Sequence, residues 1–490
     1  MSSRSKSPNV LLITADQHRG DCISANAGAA PHRPAVLRTP HLDRLAAEGV
    51  SYTNAYSTMP VCVPARVSIM TGRIPASWGV RGNGGAIPEG MPTLPGVLGA
   101  NGYRTQGVGK MHFVPDFRAL HGFEHVLVSE EGRQWQYGGD DYQAYLQRVG
   151  WAGLERGHGI GNNDARTGTS PLPLEHYHTT WCTDESIAWL RRHRQEQPAQ
   201  PFFLWTSYTK PHAPYDPPEP YDRLYTPFTV PAPRGGPEDL ADRAPWYTRT
   251  RRRYGWDTYS DLAVKRSIAF YYGNVALIDH SVGRLLDTLR ELDLEEDTLV
   301  FYTADHGDLL GDHGFFFKGI FWQASWHIPF LVRASGRQPP QGVVGRYAGL
   351  EDLLPTILAR CGIAVPDGVQ GQDLFGSDPE RDAAFGTFGP QGRALHAVRT
   401  DAWTYIAHQN GSFEELYDVQ TDPDERRNLG AEPATEEVRH RLRARLEGWL
   451  AAIGAQDVLD AAGRLITRPF VDELAGAEPL ARTPLGMRPY

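Results

Sequence analysis

Four short runs constrain this chain more than anything else in it. Val10–Thr14, Tyr103–Val108, Phe202–Ser207 and Leu299–Thr303 each read as a strand buried on both faces. Such a strand needs cover on two sides, which a sheet between helical layers provides. Helix-like stretches lie between the runs, among them His41–Glu48 and Ser267–Leu292. In the second, Tyr271, Val275, Ile278, Val282, Leu285 and Leu289 keep a helical spacing. The alternation predicts an α/β fold, a large mixed, mostly parallel sheet sandwiched by helices. The texture changes after Phe375. Ala394–Ala407 and Leu416–Val419 read as strands and Glu436–Ile453 as an amphipathic helix. Residues 1–375 are therefore expected to form one large domain, and 376–490 a smaller C-terminal α+β domain with a tail.

Charge and cysteine content remove whole classes of function. With 49 Lys plus Arg against 58 Asp plus Glu, the net charge is −9. A chain of that sign is a poor partner for nucleic acid or an anionic membrane, although a locally positive pocket can still take an anion. The four cysteines, Cys22, Cys62, Cys182 and Cys361, are too few and too scattered for a disulfide framework or a Cys-rich metal site. The first apolar run, Val10–Ile13, is too short for a signal sequence, and no stretch reaches a membrane span, so a cytoplasmic location is expected. The Arg-rich segment Pro211–Trp256 reads as a solvated surface excursion or as a rim that selects an anionic substrate. The tail after Ile453 suits a homo-oligomer.

Polar residues gather just past the four runs. Asp16 and Gln17 follow the first, Lys110 and His112 the second, Lys210 and His212 the third, and Asp305 and His306 the fourth, with Lys318 further on. Ligands of open α/β sheets bind outside the carboxyl ends of the strands. Asp16, Gln17, Asp305 and His306 together offer two carboxylates, an amide oxygen and an imidazole, a donor set for Ca²⁺, Mn²⁺ or Mg²⁺. The segment Cys62-Val63-Pro64-Ala65-Arg66 predicts a helix start, with Pro64 in the first turn and Thr71-Gly72 as its stop. A cysteine there, one turn from Arg66, is either a low-pKa thiolate or part of an anion site.

These residues resemble the formylglycine-dependent sulfatases of the alkaline-phosphatase-like superfamily. The Cys-x-Pro-x-Arg element with Thr71-Gly72-Arg73 carries the likeness. It is joined by Asn9–Asp16, Thr39–Asp43, Gly109–His112, Lys210-Pro211-His212, Ala304–Asp308 and Glu415–Asp418 with Asp422-Pro423. The resemblance implies a catalytic domain over 1–375 that hydrolyses a sulfate monoester to alcohol and sulfate. It implies that Cys62 is matured to formylglycine by a formylglycine-generating enzyme, and that the aldehyde hydrate attacks sulfur. It further implies one divalent ion, Ca²⁺ first, with Mn²⁺ or Mg²⁺ as alternatives, on Asp16, Gln17, Asp305 and His306. Arg66 and Lys110 would stabilise the hydrated aldehyde, His112 would take its proton, and His212 and Lys318 would contact sulfate and assist the leaving alcohol. Gln17 and His306 resemble the branch of choline sulfatases and phosphonate monoester hydrolases, which makes phosphonate monoester or phosphodiester hydrolysis the alternative. Lys110-Met111-His112-Phe113 looks like the sulfatase side. His176 and His178, near Trp181, read as loop packing or pocket lining, and Asn83 and Trp135 as pocket candidates. Asp312-His313 reads as bracing for the metal loop, and Cys22, Cys182 and Cys361 as structural.

Overall fold

A computed structural model describes residues 7–25, 36–130, 139–336 and 340–476. Among the described residues the main sheet has β1 (Asn9–Asp16), β2 (Val50–Tyr56), β3 (Arg104–Gly109), β4 (His125–Val128), β5 (Phe202–Pro211), β6 (Thr298–Thr303), β7 (Phe330–Arg333) and β8 (Gly342–Gly349). Their order is β4-β3-β5-β1-β6-β7-β2-β8. Neighbours run parallel except at β7, which is antiparallel to both β6 and β2. All four expected strands form. β1, β5 and β6 are buried at every position, as strands covered on both faces must be.

Side-chain alternation divides those strands between two cores. Val10 and Leu12 join Phe203, Trp205 and Phe301 beneath α2 (Cys62–Thr71). Leu11 and Ile13 join Leu204, Val300 and Tyr302 on the other face. There they meet Leu42 and Leu45 of α1 (Pro40–Glu48), Trp181 and Leu190 of α3 (His178–Glu196), and Ile278, Val282 and Leu285 of α4 (Asp261–Glu291). The last helix starts one and a half turns before the expected Ser267. Its first turn leaves Leu262 exposed and so carries no buried helical stripe, and the Ser260 hydroxyl caps it by accepting from the Ala263 N–H.

The segment Pro211–Trp256 is not a solvated excursion. Tyr215, Leu240, Tyr247 and Trp256 are buried in a third core with Phe315 and Trp322. Tyrosine and tryptophan can be buried by their bodies while their polar tips find partners, so they anchor an irregular segment without periodicity.

The C-terminal part is an antiparallel meander of β9 (Ala384–Phe388), β10 (Leu395–Arg399), β11 (Trp403–His408) and β12 (Glu414–Asp418). The single strand expected over Ala394–Ala407 is thus two strands. Thr400 breaks it: its hydroxyl accepts from the Ala402 and Trp403 N–H groups and turns the chain. The helix α5 (Glu436–Ala452) buries Leu442, Leu446 and Leu450 against Val398, Tyr405 and Leu416. The 375/376 boundary falls between β8 and β9, yet Ala397, Ile406 and Tyr417 share the third core with Tyr247 and Trp322. Among the described residues no helix is long and apolar enough to cross a membrane.

Candidate active site

The strand ends are shaped to deliver polar groups. Pairing of β1 with β5 jumps from Ala15↔Tyr208 to Asp16↔Pro211, which turns Asp16 out of the regular ladder. Gln17 follows with φ 71°, His112 has φ 59°, and Phe317, just before Lys318, has φ 71°. Left-handed backbone at such residues costs on the order of 1 kcal/mol each and clusters at functional sites.

All ten residues of α2 are buried. Gly72 ends the helix in left-handed conformation (φ 64°), its N–H bonded to the Ser68 carbonyl, as the Thr71-Gly72 stop predicts. At the other end the Val63 N–H donates to Asn83 Oδ1 at 3.2 Å. Cys62 therefore sits at the start of a rigid, enclosed helix. Burial pushes its thiol up to about 11, with Asp16 adding to the shift, the opposite direction to that of a low-pKa thiolate.

Around it, Asp16, Cys62, Asp305 and His306 place their ligand atoms within 4.8 Å of one another, all buried. Cys62 Sγ lies 3.2 Å from His306 Nε2 and 3.9 Å from Asp16 Oδ1. His306 Nδ1 faces the Gly307 carbonyl at 3.0 Å, which assigns its proton there and turns the Nε2 lone pair inward. Burial lowers its pKa and keeps the ring neutral. Cations of the protein occupy the opposite carboxylate edges. Lys110 Nζ is 2.6 Å from Asp16 Oδ2, and Arg66 reaches both Asp16 Oδ2 (3.3 Å) and Asp305 Oδ2 (3.1 Å). Burial alone would raise the Asp16 carboxyl, but Lys110, His212 and Arg66 outweigh it and hold it well below the ordinary range. Ionised carboxylates with an inward imidazole lone pair fit a divalent cation.

Gln17 stands beside the group, its backbone N–H donating to Asp305 Oδ1 at 3.0 Å. Its amide N–H donates to Asp308 Oδ2 at 2.6 Å, which points Oε1 at Lys318 Nζ, 2.7 Å away. Lys318 also meets His212 Nε2 at 2.7 Å, while His212 Nδ1–H donates to the Ala213 carbonyl at 2.7 Å. His112 is held through its backbone N–H by Glu130 Oε1 (2.7 Å), and its ring packs on Phe117. Lys210, expected among the site cations, turns instead to Asp216 and to the His212 and Pro214 carbonyls. It braces the loop that carries His212.

The chain matches the family model for sulfatases over residues 8–363, and a model for the C-terminal part of N-sulphoglucosamine sulphohydrolases over 311–451. The chain belongs to the sulfatase family. The sulfatase is 32% identical over 453 residues to an arylsulfatase of Clostridium perfringens, covering 86% of this chain and 90% of that one. It is 29% identical over 447 residues to a choline-sulfatase of Rhizobium meliloti, covering 87% and 83%. Among solved structures, a phosphonate monoester hydrolase of Agrobacterium radiobacter superposes with a TM-score of 0.77 at 26% identity, covering 94% of this chain and all of the other. The fold is alkaline-phosphatase-like, and the sulfatase is an enzyme that acts on sulfate esters.

His176 bonds Tyr145 (2.7 Å) and packs on Trp151, a packing role, whereas His178 bonds Thr209 (3.0 Å) and lines a small pocket with Lys210 and His212. Asn83 lines a 530 Å³ cavity together with Val61 and Lys318. Trp135 lies outside the described residues. Asp312 pairs with Arg19 (2.9 Å), whose guanidinium holds the Asp308 carbonyl, so it braces the loop after Asp305 and His306, whereas His313 pairs with Asp239. Cys22, Cys182 and Cys361 are buried and stand outside any disulfide among the described residues. Two further contributors lie in segments already singled out, Asp308 at the end of Ala304–Asp308 and Ser207 at the end of Phe202–Ser207, where residue type alone gives neither a role. Asp308 accepts from Gln17, Tyr215, Leu310 and Phe317, and Ser207 accepts from Arg66 at 2.8 Å.

Proposed function

We propose that the sulfatase hydrolyses a sulfate monoester through Cys62 matured to formylglycine, with one divalent cation held by Asp16, Gln17, Asp305 and His306. The observation that carries the reading is the position of Cys62 Sγ, within 3.9 Å of both Asp16 and His306 at a buried helix start. A bound cation would supply positive charge to the transferring group and polarise its oxygens. Arg66, Lys110 and Lys318 add fixed positive charge in a buried site, where it costs no reorganisation during reaction. The Lys318–His212 pair shares a proton across 2.7 Å and can pass it to the departing alcohol oxygen. His112, held by Glu130, would take the proton that releases sulfate. Calcium, manganese and magnesium are told apart by activity after metal stripping and replacement.

Maturation requires a formylglycine-generating enzyme. We propose a cytoplasmic location, in keeping with cysteines that form no disulfide among the described residues; cell fractionation tests this. Mass spectrometry of the Cys62 peptide tests the core of the proposal, and an unmodified thiol in fully active protein refutes it. The likeness to a phosphonate monoester hydrolase favours one second reading, decided by relative kcat/KM on aryl sulfate and phenylphosphonate.

A further inference from the structure

The 530 Å³ cavity beside Lys318 bears on the alcohol half of the substrate, a question that rests on the sulfatase reading above. Its inner end is Val61, Asn83 and Lys318. Val61 precedes Cys62, Asn83 holds the first turn of α2, and Lys318 reaches Gln17 and His212. A sulfate group seated at Cys62 therefore sends its alcohol into this cavity. The volume is that of a site for a drug-sized molecule, which occupies roughly 300–1,000 Å³.

Trp246, Tyr254 and Phe388 line it and are only partly buried, so ring surface is left for a ligand. Tyr254 stacks on the buried Trp256 with centroids 4.7 Å apart and planes 18° apart, which makes one continuous wall. Trp246 is held in place, its indole N–H donating to His408 Nδ1 (3.3 Å) while His408 Nε2 meets Glu415 (2.7 Å). The outer wall is Val471–Leu474 from the C-terminal segment. Val471 exchanges two 2.9 Å hydrogen bonds with Asn410, Asp472 pairs with Arg249, and Glu473 pairs with Arg393 and Arg468.

Charge decides among alcohols. Arg81 pairs with Asp457, so each of Arg81, Arg393, Asp472 and Glu473 on this rim is already compensated within the chain. A polyanionic sulfated glycan would have to displace those partners. A trimethylammonium head is held by rings closing around one point within about 6 Å; here stacked rings form a flat wall in a far larger space. We propose that the preferred substrates are sulfate esters of bulky, uncharged ring alcohols, such as fused-ring phenols, stacked on Trp246 and Tyr254, with Val471–Leu474 as the wall that sets their size.

The test uses full-length enzyme whose formylglycine content is confirmed by mass. Values of kcat/KM are compared for 2-naphthyl sulfate, phenyl sulfate, choline O-sulfate and a disulfated glucosamine. The naphthyl ester is expected to lead. Trp246→Ala and, on the rim, Asp472→Ala are expected to raise KM for it roughly tenfold with little change in kcat, a step of the size hydrophobic pockets give. Trp246→Phe should recover most of the loss. Equal or better turnover of choline O-sulfate, or variants that slow every ester alike through kcat, would overturn the proposal. If formylglycine-bearing protein turns over none of these sulfates, the sulfatase reading falls first and the proposal with it.

Discussion

Replacing Glu415 with glutamine probes how the small sheet is fastened to the catalytic part. Glu415 lies on β12, fully buried, and its carboxylate accepts from Tyr247 (2.7 Å), Trp322 (2.9 Å), His408 (2.7 Å) and Tyr417. Burial alone would raise this carboxyl, but His408 and Arg243 outweigh it and bring it to about 2 from an ordinary 4.5. At about 1.36 kcal/mol per pH unit, that difference makes the charged form worth on the order of 3 kcal/mol to the folded state. The amide has no charge and turns an NH₂ toward donors, so Glu415→Gln should lose about that much. The sign follows from a depressed pKa: the contribution is complete above pH 4.5 and fades as pH falls toward 2. Urea unfolding followed by tryptophan fluorescence should show a constant gap between the two proteins at pH 5–8 that narrows by pH 3. A gap under about 0.5 kcal/mol at pH 7, below the range for losing a charged hydrogen bond, would refute the reasoning. So would a gap that ignores pH.

Further predictions reach the site itself. Asp308→Asn should flip the Gln17 amide and weaken Mn²⁺ or Ca²⁺ binding about 10- to 100-fold by calorimetry on the folded variant; unchanged affinity would count against its positioning role. His212→Ala should slow esters of weakly acidic alcohols most, by roughly 100-fold, because they need the proton. An equal loss for a good leaving group contradicts general-acid assistance. Cys62→Ala should abolish turnover, since no aldehyde can form. Leu446→Ala should cost 2–5 kcal/mol by denaturant midpoint, and a loss below 1 kcal/mol would mean α5 is not held by its leucines.

Local signals were legible and distant ones were not. Val10–Thr14 and Leu299–Thr303 announce buried strands because their composition is decided by both faces at once. The Cys62 helix is legible because Pro64 and Gly72 mark its start and stop. β9 escaped notice: Ala384–Phe388 holds Gly386 and has no alternation to show. Lys210 misled because its partner Asp216 is found only once the loop after β5 is built. The cavity wall was out of reach for the same reason, since Trp246, Phe388 and Val471 come from distant parts of the chain.

The register break between β1 and β5 and the hub at Glu415 belong to different layers of the protein. Bond breaking is organised at the edge of the main sheet, and recognition of the alcohol by aromatic side chains pinned to the small one. Inheritance can therefore act on the two separately. A laboratory search for new substrates should vary Trp246, Tyr254, Phe388 and 471–474 and leave Glu415, the leucines of α5 and the strand ends at Asp16, His112, His212 and Asp305 alone, because the cavity wall can change its guest without loosening the small sheet or disturbing the chemistry.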